Sequence, residues 1–189
     1  DGAQLVAPQA VAALAAPVNV GVILGFTGPL ESITPGMAGS AELAFKEASD
    51  SGKLPGGATL NPVRADSTCV DAAAATTAAT NLVTGEGVVA ILGADCSGVT
   101  TAIANNVAVP NGVVIISPSA TSPALSTIAD DGYFFRTSPS DARQGQILAE
   151  IVKEKGIDQV AITFTNNDYG KGLADSFALR LSHHADNVH

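Results

Sequence analysis

Residues 88–121 read VVAIL GADCSG VTTAIANNV AVPNG VVII SPSAT. Two apolar runs, VVAIL at 88–92 and VVII at 113–116, each end in a turn of small and hydroxyl-bearing residues. Short runs rich in β-branched side chains and bounded by glycine and proline are the pattern of buried strands. Residues 97–107 between them carry helical spacing, so the unit is strand, helix, strand. Strands joined through a helix run parallel, and in an open parallel sheet ligands bind beyond the carboxyl ends of the strands. Those ends carry Ser97 and the group Ser119, Ala120 and Thr121. Free N–H groups at helix starts, with hydroxyls beside them, suit an anionic group. The expectation is that these four residues hold a small carboxylate ligand. The plainer alternative is that the hydroxyls only cap helices.

The same alternation extends outward. VNVGVILGF at 18–26 is a first buried strand, and Pro35 opens a helix ending at Ser51-Gly52. ATLNPVRAD at 58–66 is a second strand, placed at an edge or bulge by Pro62. Asp71 caps an alanine-rich helix over 72–83. After residue 121 the reading gives a short helix to 128, a short strand at 133–136, and a long helix starting at Ser138-Pro139-Ser140-Asp141. A further buried strand, QVAITF at 159–164, and a last helix at 173–181 follow. The pattern predicts an α/β fold with a parallel, doubly wound sheet. Three parts are expected: an N-terminal segment at 1–17, a first lobe at 18–137, and the start of a second, incomplete lobe at 138–189.

Composition narrows the function. At 46% hydrophobic and 14% charged, the chain is not disordered. Nine basic against 18 acidic residues give a net charge of −9, which argues against nucleic acid and against an anionic membrane surface. Residues 5–17, LVAPQAVAALAAP, read as the tail of a signal peptide, or equally as a short helix or docking arm. Cys69 and Cys96 each follow a strand. In an oxidising compartment a bridge between them closes a loop worth on the order of 3 kcal/mol. Two separate buried thiols are the alternative.

The residues also resemble a known family, the type I periplasmic binding proteins of ABC importers, in the branched-chain amino-acid group. The matching pieces are VGVILGFTGPL at 20–30, DSTC at 66–69, LGADCSG at 92–98, ISPSATSP at 116–123, FFRTSPSDARQG at 134–145 and NDYGKGLA at 167–174. The resemblance implies two α/β lobes that close on a ligand by hinge motion. It implies that Ser97 meets a ligand carboxylate and that Ser119, Ala120 and Thr121 contact carboxylate and ammonium. Tyr169 is implied to reach in from the second lobe, and Cys69 to pair with Cys96. A membrane permease is the implied partner, an amino-acid-like molecule the ligand, and the periplasm or exterior the location. No cofactor or metal is called for. Members of the family run longer than this chain, so it reads as a truncated member. Self-association through the surface left by the absent part is then a second possible role.

The same residues speak against other chemistries. Ala94-Asp95-Cys96-Ser97-Gly98 loosely mimics a nucleophile elbow but lacks the leading glycine, and the histidines, His183, His184 and His189, cluster at the tail. The expectation is therefore no enzyme. No glycine-rich phosphate fingerprint is present. Asp66 reads as a loop hydrogen-bond acceptor, and Arg136 and Arg143 as structural cations near the seam between lobes.

Overall fold

Along VNVGVIL the side chains alternate between two faces. Ile23 joins one core, while Val22 and Leu24 join another on the opposite side. This is β1 (Val18–Leu24), the strand about which the sheet is built. The computed structural model describes residues 16–185. Residues 1–15 of the expected N-terminal segment lie outside the described residues, as do the side chains of His183, His184 and His189.

The other strands are β2 (Leu60–Asp66), β3 (Ala90–Gly93), β4 (Val114–Ser117) and β5 (Phe134–Arg136). Their order is β2-β1-β3-β4-β5, with every pairing parallel. β2 is an edge, the position Pro62 requires because proline donates no ladder hydrogen bond.

The larger core lies under α2 (Ala72–Thr80) and α3 (Ser97–Ile103), each continued by a wider turn over Asn81–Gly85 and Ala104–Ala108. Asp71 caps α2, accepting from the N–H groups of Ala73 and Ala74 at 2.9 Å. Ala75, Ala79, Ala104 and Ala108 are fully buried with Ile23, Ile91 and Ile115. Small side chains let these helices approach the sheet closely. On the opposite face α1 (Thr34–Asp50) lays Ala38, Met37 and Phe45 over Val22 and Leu24. Ile116 and Phe135, paired in register between β4 and β5, stay exposed on that face.

Past β5 the chain leaves the sheet. Ser140 caps α4 (Asp141–Glu154) and Asn167 accepts from the Gly170 N–H at the start of α5 (Asp168–Ala185). α5 therefore begins ahead of its expected first residue, 173. The two helices cross at Gly145, where a Cβ would lie 2.7 Å from the Phe177 nitrogen.

Two expectations need correction. Residues 159–164 are not a buried strand: they are exposed, and no ladder includes them among the described residues. The composition suits a strand, but a strand exists only beside another, and the sheet ends at β5. Residues 121–128 form only a short 3-10 turn, Pro123–Ser126, because the loop is tied by side chains rather than wound.

Candidate functional site

The carboxyl ends of β1 to β4 meet in a dense polar layer. Asp95, buried after β3, accepts the Gly25 N–H at 3.1 Å through both oxygens and the Ser67 hydroxyl at 3.2 Å. These bonds satisfy a buried carboxyl group that has no ion-pair partner among the described residues. Ser117 donates to the Ala94 carbonyl at 2.5 Å, and Ser119 to the Asp95 carbonyl at 2.9 Å. The two hydroxyl-rich turns are thus bolted together. At β3's last residue, Gly93 has φ +133°, and a Cβ there would collide with the Ile23 carbonyl oxygen.

Ser97, 3% exposed, accepts the Ser122 N–H at 3.1 Å. Among the described residues nothing takes its proton, so Ser97 can still donate. Thr121 is the reverse case. Its hydroxyl donates to Asp141 Oδ2 at 2.8 Å, and its carbonyl accepts the Asp141 N–H at 2.9 Å. A hydroxyl has one proton, so toward a ligand the Thr121 oxygen can only accept. Ala120 is buried, with its N–H on Ser117 Oγ at 3.0 Å and its carbonyl accepting from Arg136 and Ser138. It fixes the shape of the turn.

Asp141 and Arg136 complete the layer. Arg136 donates to the Ala120 and Ser122 carbonyls and to Ser126 Oγ, clamping the whole loop, which is the structural role expected of it. Burial lowers its pKa, with the Asp141 charge opposing. Burial raises the carboxyl of Asp141 above the usual range, against the Thr121 hydroxyl and the Arg136 charge. Sequence reading missed Asp141 as a site residue. In the chain it looks like a helix-start acid, and its partner Thr121 lies 20 residues away.

The disulfide Cys69–Cys96 is formed, with the Cα atoms 5.2 Å apart, and it removes Cys96 as a thiolate nucleophile. It ties the β2 loop to the turn carrying Ser97. Thr68 and Cys69 both sit in the left-handed region, at φ 56° and 69°. Such residues cost of order 1–3 kcal/mol each and persist only where their surroundings hold them. Here Asp66 accepts the Thr68 N–H, and Thr68 Oγ1 accepts the Asp71 N–H. Asp66 also takes the Thr27 hydroxyl at 2.6 Å, the loop role expected of it. Burial pushes its pKa up, but the hydrogen bonds from Thr27, Thr68 and Phe26 outweigh that and hold it low.

α5 lies against this edge. A Cβ on Gly98 would sit 3.5 Å from Asp168 Oδ2, and one on Gly172 would be 2.9 Å from Pro123 Cδ. At this edge Ser97 and Ala120 are buried and Ser119 and Thr121 half-buried, and Tyr169 stands on the first turn of α5. Tyr169 is 46% exposed and makes no hydrogen bond to the two turns. Among the described residues there is no metal-ligating cluster and no helix long and apolar enough to cross a membrane.

Comparison with known proteins gives one direction. The receptor family ligand binding region matches residues 36–189. The chemotactic signal transduction system substrate-binding protein BasB of Halobacterium salinarum is 34% identical over 173 residues, 87% of this chain and 41% of that protein. The Leu/Ile/Val-binding protein BraC3 of Rhizobium johnstonii is 31% identical over 182 residues, 95% of this chain and 48% of that protein. The structure of the branched-chain amino acid transporter substrate-binding protein LivJ of Streptococcus pneumoniae, in complex with isoleucine, superposes with a TM-score of 0.76 at 33% identity. That match covers 87% of this chain and 46% of the other. The chain spans about half the length of the relatives it matches.

Proposed function

The chain belongs to the receptor family ligand binding region, among the type I periplasmic solute-binding proteins of the branched-chain amino-acid group, and from that premise we propose that it forms one wall of an amino-acid-binding cleft. Such a protein works outside the cytoplasmic membrane, in the periplasm or secreted, and delivers its ligand to the permease of an ABC importer. Its action is binding without catalysis.

The observation that carries this reading is the opposite polarity of two neighbouring hydroxyls. Ser97 keeps a proton to give, and Thr121 keeps lone pairs to offer. A zwitterionic amino acid presents the matching pair, a carboxylate that accepts and an ammonium that donates. Ser119 and Ala120 hold the turn between them, and Tyr169 covers the ligand from α5. The second lobe then closes by hinge motion. One wall alone is expected to hold the ligand weakly or not at all.

Calorimetry with leucine, alanine and glutamate tests the proposal. The expected result is weak binding, millimolar at best, reduced at least tenfold by Ser97→Ala and absent for 4-methylpentanoate, which lacks the amino group of leucine. Tight binding to the 189-residue chain would overturn the need for a second wall. Equal binding of 4-methylpentanoate would overturn the zwitterion assignment.

A further inference from the structure

Thr121 and Asp141 are joined twice. The Thr121 hydroxyl donates to Asp141 Oδ2 at 2.8 Å, and the Asp141 N–H donates to the Thr121 carbonyl at 2.9 Å. Asp141 is 2% exposed, in the first turn of α4. Its carboxyl has no ion-pair partner among the described residues, because the Arg136 guanidinium is directed at the Ala120 and Ser122 carbonyls and at Ser126. Among the described residues Thr121 is the one side chain bonded to that carboxyl. A threonine hydroxyl carries one proton and two lone pairs. Beside a carboxylate it gives the proton inward and presents lone pairs outward. Beside a neutral carboxyl it can accept the carboxyl's proton instead, and its own hydrogen is then free to turn outward. The polarity that Thr121 offers a ligand is therefore set by one proton on Asp141.

We propose that Asp141 is a positioning residue that selects the class of ligand: ionised, it makes Thr121 an acceptor and the site takes a 2-amino acid; protonated, it makes Thr121 a donor and the site takes the corresponding 2-oxo acid. The inference rests on the reading of Ser97 and Thr121 as ligand contacts. Ser97 gives its proton to a carboxylate in both states, so the carboxylate is common to the two ligands. They differ at the next carbon, where an ammonium donates and a keto oxygen accepts. A buried site that hydrogen-bonds one group rejects the analogue of opposite polarity, since two donors or two acceptors then face each other unpaired. The only covalent event is the uptake of one proton from solvent at the carboxyl. The surroundings bring that proton within reach. Burial raises the Asp141 pKa above the usual carboxylate range, against the Thr121 hydrogen bond and the Arg136 charge. Arg136 of β5 is the charge that acts on the carboxyl. Arg143 on its own helix adds nothing to it, nor do Asp168, Tyr169, Lys171, Asp175 and Arg180 on α5, which packs against α4. Asp95, the other buried carboxyl of the layer, bonds to the Gly25 N–H and the Ser67 hydroxyl and to neither Ser97 nor Thr121.

NMR of the 189-residue chain provides the test. Leucine and 4-methyl-2-oxopentanoate are titrated at about pH 7 and about pH 4.5, both above the α-carboxyl range of about 3.3–3.7, so each ligand keeps its carboxylate. From neutral to acid the affinity for leucine should fall and that for the oxo acid rise, lowering their ratio at least about tenfold. In the ligand-free chain the Asp141 carboxyl carbon and the Thr121 side chain should titrate with one shared midpoint. Asp141→Asn cannot gain or lose a proton there and should hold the ratio constant between the two pH values. Should that variant fail to fold, judged by its amide spectrum, Thr121→Val removes the hydroxyl that the carboxyl orients and should hold the ratio constant too. Thr121→Ser keeps the hydroxyl and should keep the pH dependence, which a merely structural Thr121–Asp141 bond would not require. A ratio independent of pH in the native chain would overturn the inference and leave the ligand reading standing. So would an undiminished pH dependence in Asp141→Asn or Thr121→Val, or separate midpoints for Asp141 and Thr121. No shift at either turn with either ligand at either pH would overturn the ligand reading and this inference with it.

Discussion

VVAIL at 88–92 and QVAITF at 159–164 share the run Val-Ala-Ile, and they meet different fates. The first supplies Ala90 to Leu92 of β3, gripped between β1 and β4, with Ile91 buried. The second has no neighbouring strand among the described residues and lies open to water. The difference lies outside the segments themselves. Propensity and pattern mark a stretch that fits a pleated, half-buried surface, but the hydrogen-bond ladder that makes it a strand is supplied by other parts of the chain. The sheet of β1 to β5 supplies it; the described residues after β5 do not.

The sharpest way to break this contrast is to place one side chain in each region. Gly93→Ala puts a Cβ into the Ile23 carbonyl at a backbone conformation that alanine resists. It should cost roughly 4 kcal/mol or more, enough to prevent a cooperative fold. Ile162→Lys should leave thermal stability unchanged within about 0.5 kcal/mol, as an exposed site does. Comparable losses at both sites would erase the distinction.

Truncation in the core comes next. Ile91→Ala removes a fully buried side chain from the larger core and should cost about 2–5 kcal/mol in denaturant unfolding. The same change at exposed Ile162 should be nearly silent.

Gly145→Ala probes the part of the second region that is packed. Its Cβ would press on the backbone at Ser176 and Phe177, and the expected cost is about 1–3 kcal/mol. The loss should fall on α4 and α5, read as faster amide exchange there with the β1–β4 amides unchanged. Uniform loosening of the sheet would show that the two regions unfold as one.

The smallest effect is a pH dependence that separates Asp66 from Asp141. Asp66 has a lowered pKa in the fold, so its stabilisation is present above the unfolded carboxylate value and is lost as pH falls through the folded one. Asp141 has a raised pKa, so its contribution is fullest below the unfolded value and is lost as pH rises through the folded one. Denaturant unfolding from acid to neutral pH should therefore show Asp66→Asn flattening the acid loss and Asp141→Asn flattening the opposing slope. Slopes of the same sign for both would contradict the assignment.

What the sequence made legible follows the same division. The strands of the first lobe, the Asp71 cap and the edge position of β2 could be read locally, because Pro62, Asp71 and the apolar alternation act on their immediate neighbours. Ser97 and residues 119–121 could be grouped because parallel strands bring their carboxyl ends to one edge. The resemblance added the pairing of Cys69 with Cys96. The Arg136 clamp and the Asp141–Thr121 bond were not legible as a network. Each spans more than ten residues across a turn, and each side chain has an ordinary local reading as a surface cation or a helix-start acid. Residues 159–164 misled for the converse reason: everything local favoured a strand, and only a partner strand among the described residues was lacking.

The proposed ligand-facing wall consists of the two bolted turns at 96–98 and 119–121, with little contact expected from the rest of the described chain. Backbone amide NMR of the 189-residue chain titrated with leucine tests it most directly. The expected result is saturable shifts at Ser97, Ser119, Ala120 and Thr121, with Tyr169 the main responder beyond them. Shifts confined to residues 157–165, or none at the two turns at saturating leucine, would contradict it.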